Sequence, residues 1–223
     1  MKNLSLHKFW WLGIPLLLII AQIAIETLCN EQTKEMLLQE GGLHENLQAV
    51  VMVVSVILAS LLVKRVQGLG LKLWFGIAAL ASFYIAGEEL SWGQWIFHWS
   101  TPEEWAAIND QNETNLHNTS SWFDQKPQTL LQIGILVGGL IIPLLKIFKP
   151  DSLPKKFNAI YGDYHLIPTA LIALLLKLID TLSGIFHWHF FWRISEILEL
   201  YMFCFVALYL LYMLKKHKNP ETN

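Results

Sequence analysis

Residues 71–97 read LKLWFGIAALASFYIAGEELSWGQWIF. After Lys72 no charged side chain occurs until Glu88. As an α-helix, the stretch from Leu73 to Glu88 rises about 22 Å at 1.5 Å per residue, most of the roughly 30 Å depth of a bilayer's hydrocarbon core. In hydrocarbon the backbone must satisfy its own hydrogen bonds, and a helix does so within one segment. Glu88 and Glu89 then stand far from the end at which the helix enters. At 100° per residue Gly87, Ser91, Gln94 and His98 fall in one stripe about 60° wide, with Glu88 at its border.

Outward from this segment, further apolar runs lie at 9–29, 48–63, 129–147, 165–185 and 193–214. Their lengths are near the roughly 17–25 residues that a spanning helix needs. The expected fold is an all-α, single-domain bundle of six transmembrane helices covering residues 1–223. Composition agrees: 54% of residues are hydrophobic and 15% charged, whereas soluble domains carry about 25% charged residues. The run from Phe9 to Cys29 follows Lys2 and Lys8 and is too long for a cleaved signal, so it is read as the first spanning helix.

The connections alternate in charge. Lys2 and Lys8, then Lys64, Arg65 and Lys72, then Lys146, Lys149, Lys155 and Lys156, and finally Lys215, Lys216 and Lys218 fall on one side. The positive-inside rule makes that side the cytoplasm and places both termini there, in a multi-pass protein of the inner (plasma) membrane. The opposite loops are acidic, with Glu31, Glu35, Glu40 and Glu45 in one and Glu103, Glu104, Asp110, Glu113 and Asp124 in the other. A formal net charge of −2 argues against a nucleic-acid partner. Cys29 and Cys204, the two cysteines, form neither a disulfide framework nor a thiolate metal site.

Ionisable groups at membrane depth are costly, and by default they mark a functional interior or a buried ion pair. The acids Glu26, Glu88, Glu89, Asp180, Glu196 and Glu199 outnumber the bases Lys177 and Arg193. Lys177 with Asp180, and Arg193 with Glu196, stand at i, i+3 and can pair on one helix face. The remaining acids call for protons or for a divalent metal held by carboxylate and imidazole groups. The expected ligands are Glu88, His117 and Glu196; His44, His98, His187 and His189 lie on the same side. No tight motif such as His-Glu-x-x-His occurs, and a structural network that fixes helix packing explains the same residues.

The most distinctive residues are Gly87-Glu88-Glu89-Leu90-Ser91-Trp92-Gly93-Gln94, followed by Asn109-Asp110-Gln111-Asn112-Glu113-Thr114-Asn115-Leu116-His117-Asn118. They resemble a group of bacterial polytopic membrane proteins that carry a Glu-Glu-x-Ser-Trp-Gly-Gln block and then a Gln-x-Glu-x-Asn-Leu-His-Asn block. Glu40-Gly41-Gly42-Leu43-His44-Glu45 resembles an acidic, glycine-containing lead into the second helix of that group. The resemblance covers about 30 residues and implies a fold and a membrane location, with no activity attached.

Gln111, Glu113, Asn115, His117 and Asn118 are expected to fold back over Glu88 and Glu89 and close a polar pocket. Trp92, Trp95, Trp99, Trp105 and Trp122 would ring it at the interface. One function class is a membrane-embedded hydrolase or transferase acting on a lipid or lipid-linked substrate from the outer side. There Glu88 or Glu89 would be the base, His117 the acid or a metal ligand, and Glu113 a further catalytic carboxylate. Ser91, Trp92, Gln94, Asn115, Asn118 and Arg193 would contact substrate. The other class is non-catalytic: a scaffold or accessory subunit, or a small proton-coupled transporter. The transporter is disfavoured by the few polar groups in the inner half, Ser55, Ser60 and Thr169.

Overall fold

The computed structural model describes residues 5–39, 41–109, 111–188 and 191–218, without the side chains of Ser121, Phe123 and Asp124. Of the residues singled out above, Lys2, Glu40, Asp110 and His189 lie outside the described residues. Among those described the chain is all-α, and six helices are long and apolar enough to cross a membrane. We label them α1 (Phe9–Leu28), α2 (Leu43–Arg65), α3 (Leu69–Glu89), α4 (Gln125–Phe148), α5 (Ile167–Phe186) and α6 (Ile194–Lys216).

α6 is the central helix. Tyr201, Met202, Leu210 and Met213 on it are fully buried, with α2 and α5 packed against it and α3 packed on α2. Gly139 lets α4 approach closely, because a methyl group there would collide with Phe205 and stand 2.7 Å from the Cβ of Ala170. Two π-helical segments, Phe9–Gly13 and Leu136–Ile141, each shortly precede a proline, Pro15 and Pro143. Proline removes an N–H from the helical ladder, and the widened turn accommodates the loss. The α2–α3 turn is made at Gly68, whose φ of 84° suits glycine.

The expected third helix is corrected at its far end. α3 stops at Glu89, followed by a 3₁₀ turn over Ser91–Gly93 and a short helix over Gln94–Phe97. Ser91, Trp92 and Gly93 all have positive φ, at 45°, 54° and 107°, so no helix runs through them. The stripe of Gly87, Ser91, Gln94 and His98 therefore does not exist as a continuous helical face. Ser91 turns inward and is fully buried, while His98 is exposed. α2 begins earlier than its apolar run suggests, at Leu43, and carries the buried polar residues His44 and Gln48. The loop before it contains a short helix, Glu31–Leu38, capped by Asn30 Oδ1, which accepts from Thr33 N at 2.9 Å.

Candidate functional site: a polar cavity at one end of the bundle

The chain reversal at Leu90–Gly93 directs the following loop back across the end of α3. Glu88, 4% exposed, fixes that return. Its Oε2 accepts the backbone N–H groups of Leu116 at 2.7 Å and His117 at 2.9 Å, and its Oε1 accepts Trp92 Nε1–H at 2.7 Å. Trp92 lies flat over Gly87, where an added Cβ would stand 2.8 Å from the indole. His117 Nδ1 is 3.3 Å from Glu88 Oε2. A carboxylate can only accept, so the contact places a proton on Nδ1 and leaves Nε2 as the open acceptor. Among the described residues, Nε2 has no hydrogen-bond partner.

A second carboxylate staples the loop to itself. Glu113 Oε2 accepts from Ser91 Oγ at 2.8 Å, Asn115 Nδ2 at 2.5 Å and Asn118 Nδ2 at 3.3 Å. Gln94 Oε1 accepts Thr114 N–H at 2.8 Å, and its Nε2 donates to Thr101 Oγ1 at 2.8 Å. Asn109 Oδ1 accepts the N–H groups of Gln111 and Glu113, and its Nδ2 donates to Asn115 Oδ1 at 2.8 Å. Ser91, Asn109, Glu113 and Asn115 are all buried. The abundance of side-chain amides has a plain reason: an irregular segment lacks a helical ladder, so amide and hydroxyl groups supply its backbone partners.

The loop closes a cavity of about 590 Å³, walled by Glu88, Glu89, Glu113, His117 and Asn118 on one side and by Lys177, Asp180, Arg193, Glu196 and Glu199 on the other. Glu45 of α2 and Gln125 and Gln128 of α4 complete it. The structure thus brings together Glu88, Glu89, Glu113, His117, Asn118, Arg193 and Glu196. It does not bring Ser91, Trp92, Gln94 or Asn115 to the cavity wall; their polar groups are used inside the loop or, for Trp92, on Glu88. Of the histidines expected on this side, only His117 among the described residues reaches the cavity. His44 is buried behind it, with Nε2 3.0 Å from Gln22 Oε1, and His98 and His187 are exposed.

The far wall holds the two i, i+3 ion pairs. Lys177 Nζ is 3.0 Å from Asp180, and Arg193 Nη2 is 2.9 Å from Glu196 and 3.7 Å from Glu45. Arg193 Nη1 also donates to Leu38 O at 3.2 Å, tying the Glu31–Leu38 helix to this wall. Glu199 accepts from Gln128 Nε2 at 2.7 Å, and Gln48 Nε2 donates to Glu196 O at 2.9 Å. Glu89 differs from its neighbours. It makes no hydrogen bond to any described residue, and it stands within electrostatic range of Glu199, Glu196, Glu45 and Glu88.

Gln48 and Gln128 carry no sequence signal, and Glu45 stands out only as an acidic loop residue before the second helix, because each finds its partner at a helix distant in the chain. No group of three or more His, Cys, Asp or Glu side chains among the described residues is arranged to hold a metal ion. In particular Glu196 is drawn to Arg193, while Glu88 and His117 bond each other. An exposed aromatic belt lies at this end of the bundle, with Trp92, Trp95 and Trp99 on the α3–α4 connection and Trp188 and Trp192 between α5 and α6. No protein-family model, curated protein or solved structure matches the chain.

Proposed function

We propose that this chain is a membrane-embedded enzyme that uses general acid–base chemistry on the polar head of a lipid or lipid-linked substrate, at a cavity facing the extracytoplasmic side of the inner membrane. The observation that carries this reading is the Glu88–His117 pair. A buried carboxylate, held by three other donors, orients an imidazole whose Nε2 is free at the wall of a polar cavity of about 590 Å³. Small-ligand sites are commonly about 300–1,000 Å³, and an oriented imidazole is the usual side chain for moving a proton near neutral pH.

In this reading His117 Nε2 takes a proton from a hydroxyl or water as it attacks the head-group linkage, Glu88 stabilises the imidazolium that forms, and the imidazolium gives that proton to the leaving oxygen as its bond breaks. Glu113 holds the loop that carries His117. Glu89, Glu196 and Glu199, with Arg193 and Lys177, form the wall against which substrate is seated. The aromatic belt favours a head-group depth, since indole rings prefer the membrane interface. The alternative is a non-catalytic scaffold, favoured by the extent to which Glu113, Asn115 and Ser91 satisfy one another inside the loop.

The test is lipid mass spectrometry of the purified protein reconstituted in vesicles of bacterial polar lipids, beside His117→Ala. Time-dependent conversion of a head group by the native protein, absent in the variant, is expected. No conversion by either, with both folded, would leave the scaffold. Metal analysis of the same samples bears on mechanism: stoichiometric metal lost on His117→Ala would replace the acid–base route with a metal-assisted one.

A further inference from the structure

We propose that the cavity recognises a primary ammonium group on its substrate, held by Glu89 with Glu196 and Glu199 beside it. The inference rests on the reading of the cavity as a substrate site and specifies what that substrate carries. Among the described residues, seven carboxylates line the cavity against one ammonium, one guanidinium and one imidazole, those of Lys177, Arg193 and His117. Both cations are engaged, Lys177 by Asp180 and Arg193 by Glu196 and Glu45. A cationic ligand is therefore favoured over an anionic one, since it can take the place of the protons that crowded, buried carboxylates otherwise hold.

Glu89 locates the charge. The other lining carboxylates have donors: Glu88 and Glu113 from the loop, Glu199 from Gln128, Glu196 and Glu45 from Arg193, Asp180 from Lys177. Glu89 faces the cavity with no hydrogen bond to a described residue, and Glu199 and Glu196 are close enough to act on it. A primary ammonium supplies three N–H donors, which matches such a cluster of acceptors. A quaternary ammonium supplies none and is held by aromatic cages; no Phe, Tyr or Trp lines the cavity among the described residues. A metal ion would require three converging ligands, and the described residues provide no such group.

A primary ammonium reaches this depth either on a lipid head group or on a small soluble amine. The full-length protein, purified in detergent and stripped of lipid, is titrated with short-chain phosphatidylethanolamine, its N-acetylated analogue, phosphatidylcholine, phosphatidylglycerol and free ethanolamine, with binding read by native mass spectrometry and thermal shift. Phosphatidylethanolamine is expected to bind at least about tenfold more tightly than the N-acetylated, choline and glycerol lipids, the scale of one charge-assisted hydrogen bond. That preference should be lost in Glu89→Gln. Glu199→Gln should lower it as well and serves if Glu89→Gln does not fold. Free ethanolamine binding as tightly as the lipid would support the ammonium site and assign it to a soluble amine.

Equal binding of the N-acetylated lipid, or preference for phosphatidylglycerol, would overturn the inference. So would an unchanged preference in both glutamine variants. Head-group conversion lost in His117→Ala without ammonium selectivity would leave the enzyme and remove the inference, whereas ammonium selectivity without conversion would leave a binding site and remove the enzyme.

Discussion

Glu88 Oε2 accepts the backbone N–H of His117 at 2.9 Å while standing 3.3 Å from the Nδ1 of the same residue. One buried carboxylate thus fixes both where His117 lies and which ring nitrogen is free. Removing it should affect stability and loop order together. In Glu88→Ala the part-buried N–H groups of Leu116 and His117 and the indole of Trp92 lose their acceptor, and an unpaired donor costs up to about 1–3 kcal/mol where water cannot replace the partner. A lowered melting temperature and faster proteolysis within 98–120 are expected; a protease pattern unchanged from the native protein would contradict the assignment.

Gly87 is required by Trp92. A side chain at that position meets the indole at 2.8 Å, and overpacking of this kind costs about 1–3 kcal/mol. Gly87→Val should lower thermal stability more than Gly76→Val on the same helix, where an added Cβ has no neighbour within 4 Å. Equal effects would mean that Trp92 does not seat on Gly87.

At the opposite end of the bundle, His165 holds the N-terminal segment. Its Nδ1 is 2.6 Å from Asp163 Oδ1, and its Nε2 accepts Leu6 N–H at 3.1 Å. The ring is fully buried beside Trp11 and Tyr212. His165→Ala should free the segment around Leu6 for protease cleavage and lower stability by about 1–3 kcal/mol, the cost of an unsatisfied buried group. A protected N-terminal segment in that variant would contradict the latch.

The orientation inferred from the basic clusters is directly measurable. A single cysteine introduced at Gln111, in a background with Cys29→Ala and Cys204→Ala, should react in intact cells with a membrane-impermeant maleimide. A cysteine at Lys156 should react only after the cells are opened. The reverse pattern would place the cavity at the cytoplasmic face.

Hydropathy made the six spanning helices legible, because an apolar run of spanning length has few other ways to satisfy its backbone. The pairs Lys177–Asp180 and Arg193–Glu196 were legible too, since i, i+3 spacing is a local signal. So was the return of the loop carrying Glu113 and His117 over Glu88. The break after Glu89 was hidden: Leu90, Ser91 and Trp92 carry no helix-breaking signal, and the left-handed φ of Ser91 and Trp92 is held by the Ser91 bond to Glu113 of the returning loop and by the Trp92 indole on Glu88 one turn back. Such conformations cost about 1–3 kcal/mol each and persist where surroundings over-determine them. Glu45 on Arg193 and Gln48 on Glu196 were equally hidden, because partners well over a hundred residues apart leave no periodic trace.

If Glu88 and His117 act as one unit in a reaction, their substitutions are not additive. A double-mutant cycle on head-group conversion in reconstituted vesicles, using Glu88→Gln, His117→Ala and both together, measures that coupling. Each single change is expected to slow conversion by about 10²–10⁴-fold, the usual contribution of a positioned acid–base group, with the double variant no slower than His117→Ala. Conversion unaffected by either change in folded protein, or losses that simply multiply, would mean that the two residues do not work as a catalytic pair.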